Sequence, residues 1–257
     1  VVFKDKSLYH YNNGQFAVKD KVQNTPWRGL VKNSEGVLKM NSEHWVDPYS
    51  EEVWEYNIEV AKDLIKQGFD EIQFDYIRFP TDGENLNQAH YPYQDKGMDK
   101  ESALISFLSY ARENIEAPLS VDIYGANGWH RTGARTGQDV ELLQKYVDVI
   151  CPMYYPSHFA QSFLDFPPAE KRPWRIYYYG SLRNYYMAQK NTIIRPYLQA
   201  FKMNRSYDNE HYGPKYIQGQ VQGVEESLNM GYTFWNSASK YSILLESLNN
   251  EKENKEN

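Results

Sequence analysis

Strand signals and helix signals alternate along this chain of 257 residues about six times over, and that order constrains its fold more than any single motif. Strands joined through a helix run parallel, because the helix carries the chain back to the end of the sheet where it began. Strands read at residues 1–5, 68–80, 119–125, 149–156, 192–201 and 231–236. Helices read at 50–67, 100–114, 139–147, 174–189 and 214–229, and 7–48 reads as a loop region punctuated by Gly, Asn and Pro. In the first helix Val53, Trp54, Asn57, Ile58, Ala61, Leu64 and Ile65 fall at helical spacing, and Gly68 stops it. The series predicts most of a (β/α) barrel, with a doubly wound open sheet as the competitor. No Gly-rich phosphate loop follows any strand, which counts against a nucleotide-binding open sheet.

The strand at 68–80 carries the chemistry most plainly. Ile72, Phe74 and Tyr76 are expected on one face and Gln73 and Asp75 on the other, because strand side chains alternate. A carboxylate near the C-terminal end of such a strand is how a barrel presents an acid to its mouth; the plainer reading is a surface acid on an edge strand. On the following strand Ser120, Asp122 and Tyr124 share a face opposite Leu119, Val121 and Ile123. Neighbouring strands lie about 4.8 Å apart, so Asp75 and Asp122 can come within roughly 5–9 Å of each other. That spacing suits glycoside hydrolysis, in which one carboxyl group protonates the leaving oxygen and the other attacks or activates water. Two acids at one site also raise each other's pKa and keep one protonated near neutrality. The alternative is a structural ion pair between one of them and Arg78 or Arg195.

Later strands add candidates for holding a sugar. Tyr155 offers a hydroxyl, His158 a hydrogen bond to a carboxylate or hydroxyl, and Gln199 an amide near a strand end. Trp235 offers a flat apolar platform, or else it packs against a helix. Asp75, Asp122 and His158 also form a minor alternative as a three-ligand metal site. Otherwise no Cys or His cluster has zinc-ligand spacing and no nucleophile elbow occurs, so neither a metal nor a cofactor is expected.

Charge and hydropathy narrow the partners. A net charge of −6 argues against nucleic acid, which requires a basic face. No window approaches the roughly 20 apolar residues of a membrane span. Cys151 has no disulfide partner and sits in an apolar run, so it reads as a core residue. Residues 1–248 read as one (β/α)-barrel domain and 249–257 as a disordered polar tail. The opening Val1-Val2-Phe3-Lys4-Asp5 reads as an edge strand already in progress, the remainder of a longer precursor or an excised domain.

Several pieces together resemble the bacterial glycosyl hydrolase domain, a TIM-barrel family long catalogued as a domain of unknown function. They are the opening five residues, Trp45-Val46-Asp47-Pro48-Tyr49, Gly68 through Pro80, Val121-Asp122-Ile123-Tyr124-Gly125, the run from Ile150 to His158, Arg195 through Gln199 and Phe234-Trp235-Asn236. They span almost the whole chain in the family's order. The resemblance implies a (β/α)8 TIM-type barrel, here lacking about two strands that members carry before the opening piece. It implies a glycoside hydrolase acting on a polysaccharide, outside the cytoplasm or in the cell envelope of a bacterium. Asp75 and Asp122 are then the catalytic pair, with Arg78, Tyr155, His158, Gln199 and Trp235 holding the substrate. A carbohydrate-binding barrel without turnover is the rival reading. The segment around Asp75 is also distantly similar to the acid-bearing strand of chitinase-like barrels, but Ile77 stands where those enzymes hold their proton donor, so their substrate-assisted mechanism does not carry over.

Overall fold

The computed structural model describes residues 1–131 and 133–247, which form two compact units. The first contains Val1–Asp122 and Arg131–Asp148; the second contains Ile123–His130 and the described residues from Val149 on. The expected polar tail at 249–257 lies outside the described residues.

The first unit opens with irregular backbone. Val2 and Phe3 are buried, and their N–H groups donate to the carbonyls of Asp75 and Tyr76 at 2.8 and 3.3 Å, yet no strand forms at 1–5. The Phe3 carbonyl accepts from Val46 N–H at 3.0 Å, and the pairing ends there because Asp5 at once caps helix α1 (Lys6–His10) by accepting from Leu8 N. The expected loop at 7–48 also holds β1 (Lys19–Asp20), and β2 (Leu30–Lys32) pairs antiparallel with β3 (Leu38–Met40). Helix α2 (Glu51–Lys66) begins where Ser50 accepts from Val53 N, and it buries Val53, Trp54, Ile58 and Ala61. Strand β4 is short, Ile72–Phe74, with Ile72 and Phe74 buried and Gln73 exposed. The expected alternation stops at Tyr76, whose φ of 53° is incompatible with an extended strand.

Next come β5 (Ala89–His90), antiparallel to β1, and α3 (Lys100–Asn114), capped by Asp99. Helix α3 buries Ala103, Leu104, Phe107, Leu108 and Ala111, the i, i+4 face that packs Phe107 against Phe3 and Phe74. Strand β6 (Leu119–Tyr124) runs parallel to β4, with Ile72, Gln73 and Phe74 opposite Leu119, Ser120 and Val121. The short helices α4 (Gly133–Thr136) and α5 (Val140–Leu143) complete this unit.

The second unit repeats the strand-then-helix order. Strand β7 (Val149–Met153), which buries Cys151, leads to α6 (Arg172–Met187). The strand expected at 192–201 is two pieces, β8 (Ile193–Ile194) and β9 (Tyr197–Gln199), both parallel to β7. Pro196 interrupts them, since it has no N–H for the ladder. Helices α7 (Ser206–His211) and α8 (Pro214–Glu225) precede β10 (Thr233–Trp235), which runs parallel to β9. Tyr154, Ile176, Tyr177, Leu198 and Val224 form a shared core. Gly223 lets α8 approach α6 closely, because a Cβ there would lie 2.6 Å from the Trp174 carbonyl oxygen.

Candidate active site

Asp75 follows β4 directly and is half-buried. Its carboxylate accepts from the N–H of the next residue, Tyr76, at 2.6 Å. That short loop back is possible because Tyr76 adopts the left-handed conformation, a costly choice for an aromatic residue. Neighbours hold the Tyr76 ring in return. Lys4 Nζ lies 3.8 Å from its centroid and Trp45 meets it edge-on at 6.0 Å. Lys4 also pairs with Glu43 at 3.2 Å, whose other oxygen accepts from Trp45 Nε1 at 3.0 Å. Burial pushes the Asp75 carboxyl above the usual range, against the opposing pull of the Tyr76 N–H, Arg78 and Lys4.

Asp122 is 6% exposed and lies on β6 one place beyond the paired residues. Gln73, across the ladder on β4, donates its amide N–H to Asp122 Oδ1 at 2.5 Å. Gln138 ties the backbone on both sides: its Nε2 donates to the Asp122 carbonyl at 2.9 Å and to the Ile77 carbonyl at 3.0 Å. A carboxyl inclined to keep its proton, as Asp75 is, can give it up to a basic oxygen nearby.

Arg78 is buried. Its guanidinium lies 4.7 Å from the Trp45 ring centroid and donates to the Phe79 carbonyl at 3.1 Å. Nearby in sequence, Asp47 is fully buried and accepts the N–H groups of Tyr49 and Tyr93 at 3.0 and 2.9 Å. Burial outweighs those two donors and pushes its carboxyl up to about 6.

In the second unit the expected substrate residues differ in kind. Gln199 is fully buried with its amide occupied: Oε1 accepts from Ser157 N and Oγ at 3.1 and 3.0 Å, and Nε2 donates to the Phe201 carbonyl and Asp208 Oδ2 at 2.7 and 3.0 Å. Tyr216 donates to Asp208 Oδ1 at 3.1 Å, and Gln220 exchanges two bonds with the Gln199 backbone. Tyr155 is buried against Phe201, with ring centroids 5.2 Å apart. His158 keeps one side open to solvent; its Nδ1 lies 3.2 Å from Ser157 Oγ, and its ring packs beside both Tyr155 and Phe201. Partial burial among these rings, with Arg205 close by, lowers its pKa against the opposing pull of Asp208. Trp235 is 45% exposed and touches Tyr197 edge-on at 6.3 Å.

Among the described residues no group of three or more His, Cys, Asp or Glu side chains is arranged to hold a metal ion. No helix among them is long and apolar enough to cross a membrane. The sequence reading missed Gln138, Lys4 and Glu43, which are remote in sequence from the groups they hold. Gln73 had been noticed only for sharing a face with Asp75.

A family model described as "Putative glycosyl hydrolase domain" matches residues 1–241. No curated protein sequence matches the chain. Among solved structures, the glycoside hydrolase domain of PgaB (BpsB) from Bordetella bronchiseptica superposes with a TM-score of 0.53 at 14% identity, over 88% of this chain and 65% of that one. The spore cortex-lytic enzyme SleL of Bacillus megaterium gives 0.47 at 13% identity, over 76% and 52%. The α-galactosidase of Thermus thermophilus in complex with stachyose gives 0.46 at 14% identity, over 92% and 44%. This chain therefore spans less than two thirds of each of these proteins.

Proposed function

Because the chain belongs to this glycosyl hydrolase domain family and shares the fold of a glycoside hydrolase domain, a partial (β/α) barrel, we propose that it hydrolyses glycosidic bonds of a polysaccharide with Asp75 and Asp122. Asp75 is the general acid, giving its proton to the leaving glycosidic oxygen. Asp122 is the nucleophile or the base that activates water. The observation that carries this reading is the placement of the two carboxyl groups at neighbouring parallel strands, Asp75 directly after β4 and Asp122 one place beyond the paired residues of β6, with burial favouring the protonated form of Asp75. Lys4 and Arg78 supply positive charge near Asp75 once its proton has gone. In the second unit, Trp235 is proposed to stack on sugar, with His158 and Tyr155 as hydrogen-bonding groups and Gln199 holding the Ser157–His158 turn in place.

The test is to incubate the chain and its Asp75→Asn and Asp122→Asn variants with a panel of polysaccharides and read shortened products by mass spectrometry. Products from the unaltered chain, absent with both variants, are expected. Binding without any shortened product from the unaltered chain supports the rival reading, a carbohydrate-binding barrel. Where products appear, proton NMR of the newly released anomer separates retention from inversion.

A further inference from the structure

Beyond the two aspartates, the first unit holds a cleft of about 380 Å³ lined by Tyr49, Tyr91, Gln94, Asp99, Lys100 and Glu101. Small-molecule sites occupy roughly 300–1,000 Å³, so this one has room for a sugar unit or two. One wall is aromatic. Tyr49 and Tyr91 meet edge-on at 5.8 Å, and both pack on buried Phe79 at 5.2 and 5.1 Å. Tyr91 keeps part of its surface open, and its hydroxyl has no hydrogen-bond partner among the described residues. The other wall is polar and of mixed sign. Lys100 donates from its ammonium to the Arg135 carbonyl at 3.0 Å and lies 5.3 Å from the Phe79 centroid, and Asp99, which caps α3 by accepting from Ser102 N at 2.7 Å, and Glu101 also line the cleft. Gln94 is anchored by donating to Tyr49 Oη and the Met98 carbonyl at 3.1 and 2.7 Å, which leaves its amide oxygen to accept.

We infer that this cleft is a saccharide subsite for an uncharged sugar. Tyr91, the partly exposed member of the aromatic wall, offers the apolar face of a pyranose its contact, and a rim holding both N–H donors and carboxylate acceptors matches hydroxyl groups, which donate and accept at once. An anionic sugar would meet two carboxylates there, and a cationic one would meet Lys100. Its place is suited to a chain entering the reaction centre. Phe79, which forms the floor of the aromatic wall, belongs to the same connection between β4 and α3 as Asp75, and that connection joins the C-terminal end of the strand to the N-terminal end of the helix. The inference rests on the glycosidase reading above and adds to it where and what the chain grips.

Calorimetric titration of the Asp75→Asn variant with three uncharged hexasaccharides, built from glucose, galactose and N-acetylglucosamine, tests it without consuming the probe. Binding of at least one is expected. Adding Tyr91→Ala should weaken it tenfold or more, Tyr91→Phe less than threefold, and Lys100→Gln about three- to tenfold with an unchanged melting temperature. If Tyr91→Ala does not fold, the Lys100→Gln and Tyr91→Phe results decide. Absence of binding, binding indifferent to Lys100→Gln and to any Tyr91 variant that folds, or tighter binding of a uronic acid hexamer would overturn the subsite. Hydrolysis surviving in Asp75→Asn would instead overturn the catalytic assignment, while the titration still judges the cleft.

Discussion

The surroundings of Asp75 and those of Gln199 are both polar and both lie at the end of a barrel strand, yet they are built on opposite terms. Around Asp75 the carboxyl is made uneasy: partly desolvated, bonded to a neighbouring N–H through a strained turn, and only grazed by positive charge. Around Gln199 every group is satisfied, with Ser157, Asp208, Tyr216 and Gln220 closing a buried network. Polar groups whose hydrogen bonds are complete add rigidity, whereas a desolvated acid stores a readiness to exchange protons. On the proposed function, chemistry falls to the first region and scaffolding to the second.

The largest effect should come from the first region. Asp75→Asn and Asp122→Asn keep the side-chain shape, so each should lower turnover about a hundred- to ten-thousand-fold while the melting temperature stays near that of the unaltered chain. Near-normal rates on a cleaved substrate would dissolve the contrast. In the second region the order reverses. Gln199→Ala leaves the buried Ser157 and Asp208 each short of a partner, so about 3 kcal/mol of stability should be lost in urea unfolding. A higher KM at unchanged stability would instead make Gln199 a substrate contact.

A third test sharpens the idea of the uneasy acid with Asp47. Its folded pKa is raised from 3.8 to about 6, so the folded state holds this proton more tightly than the unfolded state. Its favourable contribution is full below about pH 4 and is lost as pH rises through 6, up to about 3 kcal/mol in all. The stability of the unaltered chain, relative to Asp47→Asn, should therefore fall between pH 4 and 6; parallel profiles would refute this. The smallest effect is expected at Trp235. Trp235→Ala should weaken oligosaccharide binding by about 1 kcal/mol, through KM more than kcat, because stacking favours bound substrate and transition state alike. A large drop in melting temperature with unchanged binding would make it a packing residue.

What could be read in advance followed from local rules. The bounds of α2 and α3 were legible because Ser50 and Asp99 cap them and their apolar residues keep helical spacing. The parallel arrangement followed from element order. The rest depended on contacts far apart in sequence. Nothing in the run from Gly68 to Pro80 announces that Tyr76 turns left-handed, since the groups that hold its ring are Lys4 and Trp45. Gln199 looked like a mouth residue because its partners arrive from α7 and α8. Gln138 looked like nothing at all until the fold brought it beneath Asp122.

Tyr76 also sets a trap for anyone engineering heat resistance. A bulky residue at a φ of 53° costs about 1–2 kcal/mol, and glycine is the usual remedy for such a position. Here the remedy would remove the ring on which Lys4 and Trp45 rest and unlatch the peptide whose N–H meets Asp75. Relief of backbone strain alone would favour Tyr76→Gly, and a selection for turnover would discard it, so this one codon is where the two pressures on the chain part company.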